Sequence, residues 1–107
     1  MSNATNLPDF QALQDRIEEF QRTRFPDQKI QGKFNHLVRE CLELKLNPDD
    51  PHEWADVLIL FLGAAAMHEL SVAALFKFAE DKLTICEARK WAPADADGVH
   101  HHIEEAP

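Results

Sequence analysis

Four stretches of the chain repeat apolar residues at helical intervals, and short polar or proline-bearing segments separate them. From about Asp9 to Arg24, Leu13, Ile17 and Phe20 fall on one helix face, and Pro26 stops the run. The connector DQKIQG leads to a second helix expected over about Lys33 to Leu46, and NPDDP then turns the chain. Asp50 suits an N-cap, Pro51 the first helical position, and Glu53 stands where a capping-box acid would reach back. The third helix is expected to run to about Glu69, and Ser71 to cap a fourth from Val72 to about Trp91. Residues 1–8 are polar and expected to be a flexible N-terminus. Residues 92–107, APADADGVHHHIEEAP, show no helical period and are expected to form a C-terminal tail, mobile or docked on a neighbouring subunit. The spacing therefore predicts an all-α fold, an antiparallel bundle of about four helices over residues 9–91.

The third segment differs from the other three. From Trp54 to Met67 the only charged side chain is Asp56, and a helix that is apolar all round is expected to be buried. The run is too short to cross a bilayer, so no membrane is expected. A chain of 107 residues holds a single core, and 45% hydrophobic with 28% charged residues is an ordinary soluble balance. Three glycines and no tyrosine agree with helices. The net charge of −8 excludes non-specific binding to a nucleic-acid polymer, which needs basic surface. Cys41 and Cys86 have no CxxC spacing and read as small apolar residues in a reducing compartment. The opening MSNATNLPDF lacks the basic start and apolar run of a signal peptide, so a cytoplasmic location is expected.

The charge pattern around the NPDDP turn carries the chemistry. Glu43 and Glu53 each lie five residues from Pro48, and Glu40 and Asp56 each lie eight from it. Two helices folding back at that turn bring Glu43 level with Glu53, and Glu40 level with Asp56. Within each pair the i,i+3 spacing keeps both acids on one face, roughly 4.5 Å apart along the axis. Four carboxylates at facing levels suit a hard divalent cation, Mg²⁺ or Mn²⁺, with positions left for water and phosphate oxygens. Each acid also has a plainer reading: Glu53 as a capping-box residue, Glu40 and Glu43 as surface acids, Asp56 as a salt-bridge partner of Lys82 or Arg89. The joint spacing favours metal. Zinc hydrolysis is disfavoured because HEWAD carries Asp56 where HExxH needs a second histidine, and no Glu-x-x-His pair supports a di-iron site.

Glu40-x-x-Glu43 followed by Glu53-x-x-Asp56 resembles the ExxE…ExxD signature of the MazG-like all-α nucleotide pyrophosphohydrolases. GKFNHLVRECLEL, EWADVLILFL, KLTICEARKW and DGVHHHI are similar to the small dATP/dGTP pyrophosphohydrolase subgroup, over about residues 10 to 103. The resemblance implies Mg²⁺ held by Glu40, Glu43, Glu53 and Asp56, with water attack at the α-phosphorus of a nucleoside triphosphate. The products would be a nucleoside monophosphate and pyrophosphate, with Glu40 and Glu43 in the catalytic role and one glutamate doubling as general base. Lys82 and Arg89 would contact phosphate oxygens. Where relatives place an asparagine contacting the nucleotide, this chain has Cys86. His36, Lys33 and Trp91 are further candidates for nucleotide contacts, set against a structural histidine, a solvated lysine and a core or interface tryptophan.

Apolar surface on four short helices exceeds what a lone chain of this size covers, so a homo-oligomer, dimer or tetramer, is expected to complete the bundle. A catalytically silent helical interaction module is the alternative function. The intact acid set with Lys82 and Arg89 favours the enzyme.

Overall fold

The structure, a computed structural model, describes residues 9–104. The expected flexible segment at residues 1–8 lies outside them, as do residues 105–107. Four helices appear in order: α1 Phe10–Arg24, α2 Ile30–Leu46, α3 Pro51–Met67 and α4 Val72–Ala88. Two short strands follow, β1 Lys90–Trp91 and β2 His102–Ile103. The described residues form two compact units divided between Leu75 and Phe76, with α4 starting in the first.

In the first unit the helix ends follow local rules. Asp9 caps α1 by accepting from the Ala12 amide at 2.9 Å, and Asp50 caps α3 by accepting from the His52 amide at 2.9 Å. Pro51 occupies the first turn of α3. Ser71 Oγ accepts from the Ala74 amide at 3.1 Å and starts α4. At the end of α3 the Leu70 amide donates to the Ala65 carbonyl and the Glu69 amide to that of Ala66. This is the Schellman closure, with Glu69 at φ 60° where glycine is usual. Helix α2 begins at Ile30, with Lys29 as its cap residue, three residues before the expected start. Gly32 is therefore helical, and Lys33 moves from the helix end into its body.

The core of this unit is small: Ile17, Leu62 and Val72, with Leu13 and Leu75 packed against them. The buried face of α1 is Gln14, Ile17 and Gln21 rather than the expected Leu13–Ile17–Phe20 stripe, and Phe20 is half exposed. The glutamines hold α1 on α3 through backbone oxygens. Gln14 Nε2 donates to Leu62 O at 3.2 Å and Leu70 O at 2.9 Å, and Gln21 Nε2 to Gly63 O at 3.3 Å. The Val72 amide donates to Gln11 Oε1 at 2.9 Å. Buried amides that find partners are compatible with a core, and a purely apolar pattern misses them. The expectation that all of α3 is buried also fails. Leu60, Leu62, Gly63, Ala64 and Ala65 are buried, whereas Trp54, Leu58, Ile59 and Phe61 are exposed.

The second unit continues α4 and closes on a hairpin in the region expected to be a tail. Helix α4 stops at Ala88 instead of near Trp91. Lys90 pairs with Ile103 and Trp91 with His102, antiparallel. Asp95 builds the turn: Oδ1 accepts from the Asp97 amide at 2.9 Å and the Val99 amide at 3.0 Å, while Oδ2 meets His101 Nε2 at 2.8 Å. Gly98, at φ 80°, supplies the left-handed residue of that turn. Strands of two residues are too short to leave a readable period in the sequence.

Candidate active site

Helices α2 and α3 form the hairpin that the turn at Pro48 predicts, and it brings the acids together. Glu40, Glu43 and Glu53 each offer a carboxylate oxygen, and these oxygens lie within 4.8 Å of one another. Glu53 does not close a capping box. The Asp50 amide donates to Asn47 O instead, and Glu53 Oε2 is buried with no hydrogen-bond partner among the described residues. Glu40 Oε2 is buried and unpartnered in the same way. Asp56 stands outside the trio that converges, but its charge acts on both Glu40 and Glu53. It is exposed, against the expectation from its apolar neighbours, while Glu53 and Val57 on the same half of α3 are half-buried.

Electrostatics record the crowding. The carboxyl of Glu40 titrates above its ordinary value, first through the hydrogen bond with Glu43, then through burial and the charges of Glu43 and Asp56. His36 Nε2 lies 3.3 Å from Glu40 Oε1 and opposes that rise. Glu53 is raised by desolvation first, then by the charges of Glu43, Asp56 and Asp50. Like-charged groups with two orphaned oxygens among them are expensive unless a cation neutralises them. An all-oxygen donor set of this kind fits a hard divalent ion, Mg²⁺ or Mn²⁺.

A cavity of about 450 Å³ opens beside the acids. Glu40, Asp56 and His36 stand on its wall together with Ile17, Phe20, Phe25 and Ile59. Lys33 lines it as well, and it is buried, not solvated, with only 4% of its surface exposed. Its place one turn inside α2, on the face that carries Glu40, accounts for the burial, and desolvation lowers its pKa. Its ammonium has no hydrogen bond or ion pair among the described residues. Gln21 and Gln28 line the same cavity, each with a buried carbonyl oxygen lacking a partner. Sequence reasoning passed over both glutamines. The recurrence of Gln14 and Gln21 around Ile17 at helical spacing was the available signal.

The other predicted residues belong to the second unit. Lys82 is exposed on α4, Cys86 is half-buried, and Arg89 lies one residue past the helix, half-buried beside a cavity of about 450 Å³. Trp91 donates its indole N–H to Cys86 O at 2.9 Å and meets His102 edge-on at 6.1 Å. That bond satisfies a carbonyl at the C-terminus of α4.

Two relatives of known kind resemble this chain. A dATP/dGTP diphosphohydrolase of Cyanophage S-2L is 35% identical over 91 residues, covering 83% of this chain and 84% of its own. The structure of a Cyanophage S-2L MazG-like pyrophosphohydrolase, bound to dGDP and three catalytic Mn²⁺ ions per active site, superposes with a TM-score of 0.78. It is 34% identical and spans 92% of this chain and 100% of its own. The family model of the dATP/dGTP pyrophosphohydrolases matches residues 13–107, and the chain belongs to that family.

Proposed function

We propose that this chain hydrolyses deoxypurine nucleoside triphosphates, dATP and dGTP, between the α- and β-phosphates, with Mg²⁺ or Mn²⁺ held by Glu40, Glu43, Glu53 and Asp56. The observation that carries the reading is the convergence of Glu40, Glu43 and Glu53 on one point with two buried oxygens unpartnered. Divalent cations held there supply Lewis acidity, which neutralises the triphosphate and lowers the pKa of water. The residues of the chain do the rest. Glu40 or Glu43 accepts the proton of the attacking water, and His36 orients Glu40. The water oxygen joins the α-phosphorus as the bond to the bridging oxygen breaks. Pyrophosphate leaves, and the deoxynucleoside monophosphate remains. The family resemblance assigns phosphate oxygens to Lys82 and Arg89 and nucleotide contacts to Cys86 and Trp91, all four residues of the second unit.

The active form on this reading is a cytoplasmic homo-oligomer, a dimer or tetramer. Val38, Leu42 and Leu46 on α2, and Trp54, Leu58 and Phe61 on α3, form exposed apolar stripes at helical spacing. A second copy of the chain is the partner that such stripes fit.

The test is a panel of the eight common ribo- and deoxynucleoside triphosphates with Mg²⁺ and with Mn²⁺, the products separated by chromatography. Monophosphate plus pyrophosphate from the deoxypurines is the expected outcome. Equal turnover of pyrimidines removes the base class, and diphosphate plus orthophosphate removes the reaction. No turnover with either metal returns the chain to a silent helical module.

A further inference from the structure

We propose that the cavity beside the acids reads the base of the nucleotide, with Lys33 and Gln28 recognising the edge of guanine, so that dGTP is preferred over dATP. The inference rests on the pyrophosphohydrolase reading and adds a choice between its two substrates.

Lys33 is the starting point. Lys33 is 4% exposed, partly desolvated, and its ammonium meets no hydrogen-bonding or ionic partner among the described residues, so a ligand that completes its hydrogen bonds is favoured there. Its position decides which part of the ligand that is. Lys33 and Glu40 are seven residues apart on one face of α2, which separates them by ~10.5 Å along the axis. That is the reach of a nucleoside from its 5′ oxygen to the far edge of a purine. A triphosphate anchored at the acids therefore lays its base, not its phosphates, against Lys33. The wall between the two ends is apolar and aromatic, with Phe20, Phe25 and Ile59, and suits a flat ring.

Chemistry then separates the two purines. Lysine donates well to the O6 and N7 acceptors of guanine, whereas adenine puts an amino donor where O6 would be. An amino donor facing the Lys33 ammonium leaves both unpaired, which is costlier than a missing contact. Gln28 completes the match. Its amide folds over the first turn of α2, with Nε2 4.0 Å from where a Cβ on Gly32 would stand. Its carbonyl oxygen is buried, unpartnered and on the cavity wall. It is placed to accept from guanine N1–H, which neighbours O6 on the same edge.

The experiment measures kcat/KM for dGTP, dITP and dATP with Mg²⁺, in the wild type and in Lys33→Met and Gln28→Leu, each checked for folding by circular dichroism. The wild type should favour dGTP over dATP by roughly tenfold or more, and dITP, which keeps O6, N7 and N1–H, should follow dGTP. Lys33→Met should collapse the dGTP-to-dATP ratio toward one through the KM for dGTP, and Gln28→Leu should lower it several-fold. If Lys33→Met does not fold, the Gln28→Leu ratio decides. No preference in the wild type overturns the inference, as does an equal loss on all three substrates, which would mark a phosphate contact or a structural role. Failure of the pyrophosphohydrolase reading shows separately, as no monophosphate from any substrate. Calorimetric titration with dGMP and dAMP then makes the same comparison without turnover. Tighter dGMP binding that Lys33→Met removes sustains the inference, and equal binding ends it.

Discussion

The two halves of α3 have nearly the same apolar composition and opposite surroundings. From Leu62 to Ala65 the side chains are small or closely fitted and are buried against α1. Between Trp54 and Phe61 four large side chains, Trp54, Leu58, Ile59 and Phe61, are more than 40% exposed, and Leu60 alone among the large ones is buried. Burial in the first half has a visible cause: Gly63 lets Gln21 approach so closely that an added Cβ would meet Gln21 Oε1 at 2.0 Å. In the second half the same helix presents Glu53 and Asp56 to one side and an apolar stripe to the other. Apolar composition therefore tells that a helix will be covered, not by what. One half is covered by its own chain. The other, on the proposed reading, is covered by substrate, metal and a second copy.

The strongest way to break that contrast is to disable the chemistry of the N-terminal half without touching the fold. Asp56→Asn and Glu40→Gln are each expected to lower kcat/KM by at least ~100-fold, the upper range seen even for outlying metal-site residues. Far-ultraviolet circular dichroism should be unchanged, and melting without metal should stay level or rise, because a crowded charge is removed. A loss of fold in both variants would mean that these acids are structural.

The C-terminal half should respond in the opposite way. Gly63→Ala forces Gln21 and Ile17 aside, since the new Cβ would also lie 2.9 Å from Gln21 Cδ and 3.3 Å from Ile17 Cγ2. Overpacking of this kind costs about 1–3 kcal/mol, read as a lower denaturation midpoint, with the metal response retained. Back in the N-terminal half, Leu58→Glu changes a residue that is 45% exposed, so the stability of one chain should move by no more than about 0.5 kcal/mol. Light scattering should nevertheless show dissociation toward 12.2 kDa. A wild type already at that mass would remove the proposed oligomer.

The contrast also marks what the sequence could say. Helix identity, the turn at Pro48 and the pairing of Glu43 with Glu53 were legible, because caps, proline and i,i+3 spacing are local. The inner face of α1 was not, because Gln14 and Gln21 are buried by bonds to backbone carbonyls of α3, a tertiary relation without a local signal. Lys33 reads as solvated if α2 starts there, but the helix begins at Ile30 and carries it one turn inside. The exposure of Asp56 depended on which chain covers its helix, and one chain's periodicity cannot encode that.

The finest probe of the N-terminal half is its titration. Glu40, through its hydrogen bond with Glu43, and Glu53, through desolvation, both titrate above the ordinary glutamate value in the metal-free protein. A carboxyl whose folded pKa is raised holds its proton more tightly in the native state. Metal-free stability therefore falls as pH rises from the unfolded value through the folded one. Metal binding needs the ionised forms, so its stabilisation must grow across that same window as the pH increases. With Mg²⁺ or Mn²⁺ held near its neutral-pH Kd, the gain at pH 7.5 is only about 0.4 kcal/mol, and it should vanish by pH 4.5. Differential scanning fluorimetry with and without metal reads the difference, and Glu53→Gln should flatten its pH dependence. A metal response equally large at pH 4.5 would place the ion away from these carboxylates.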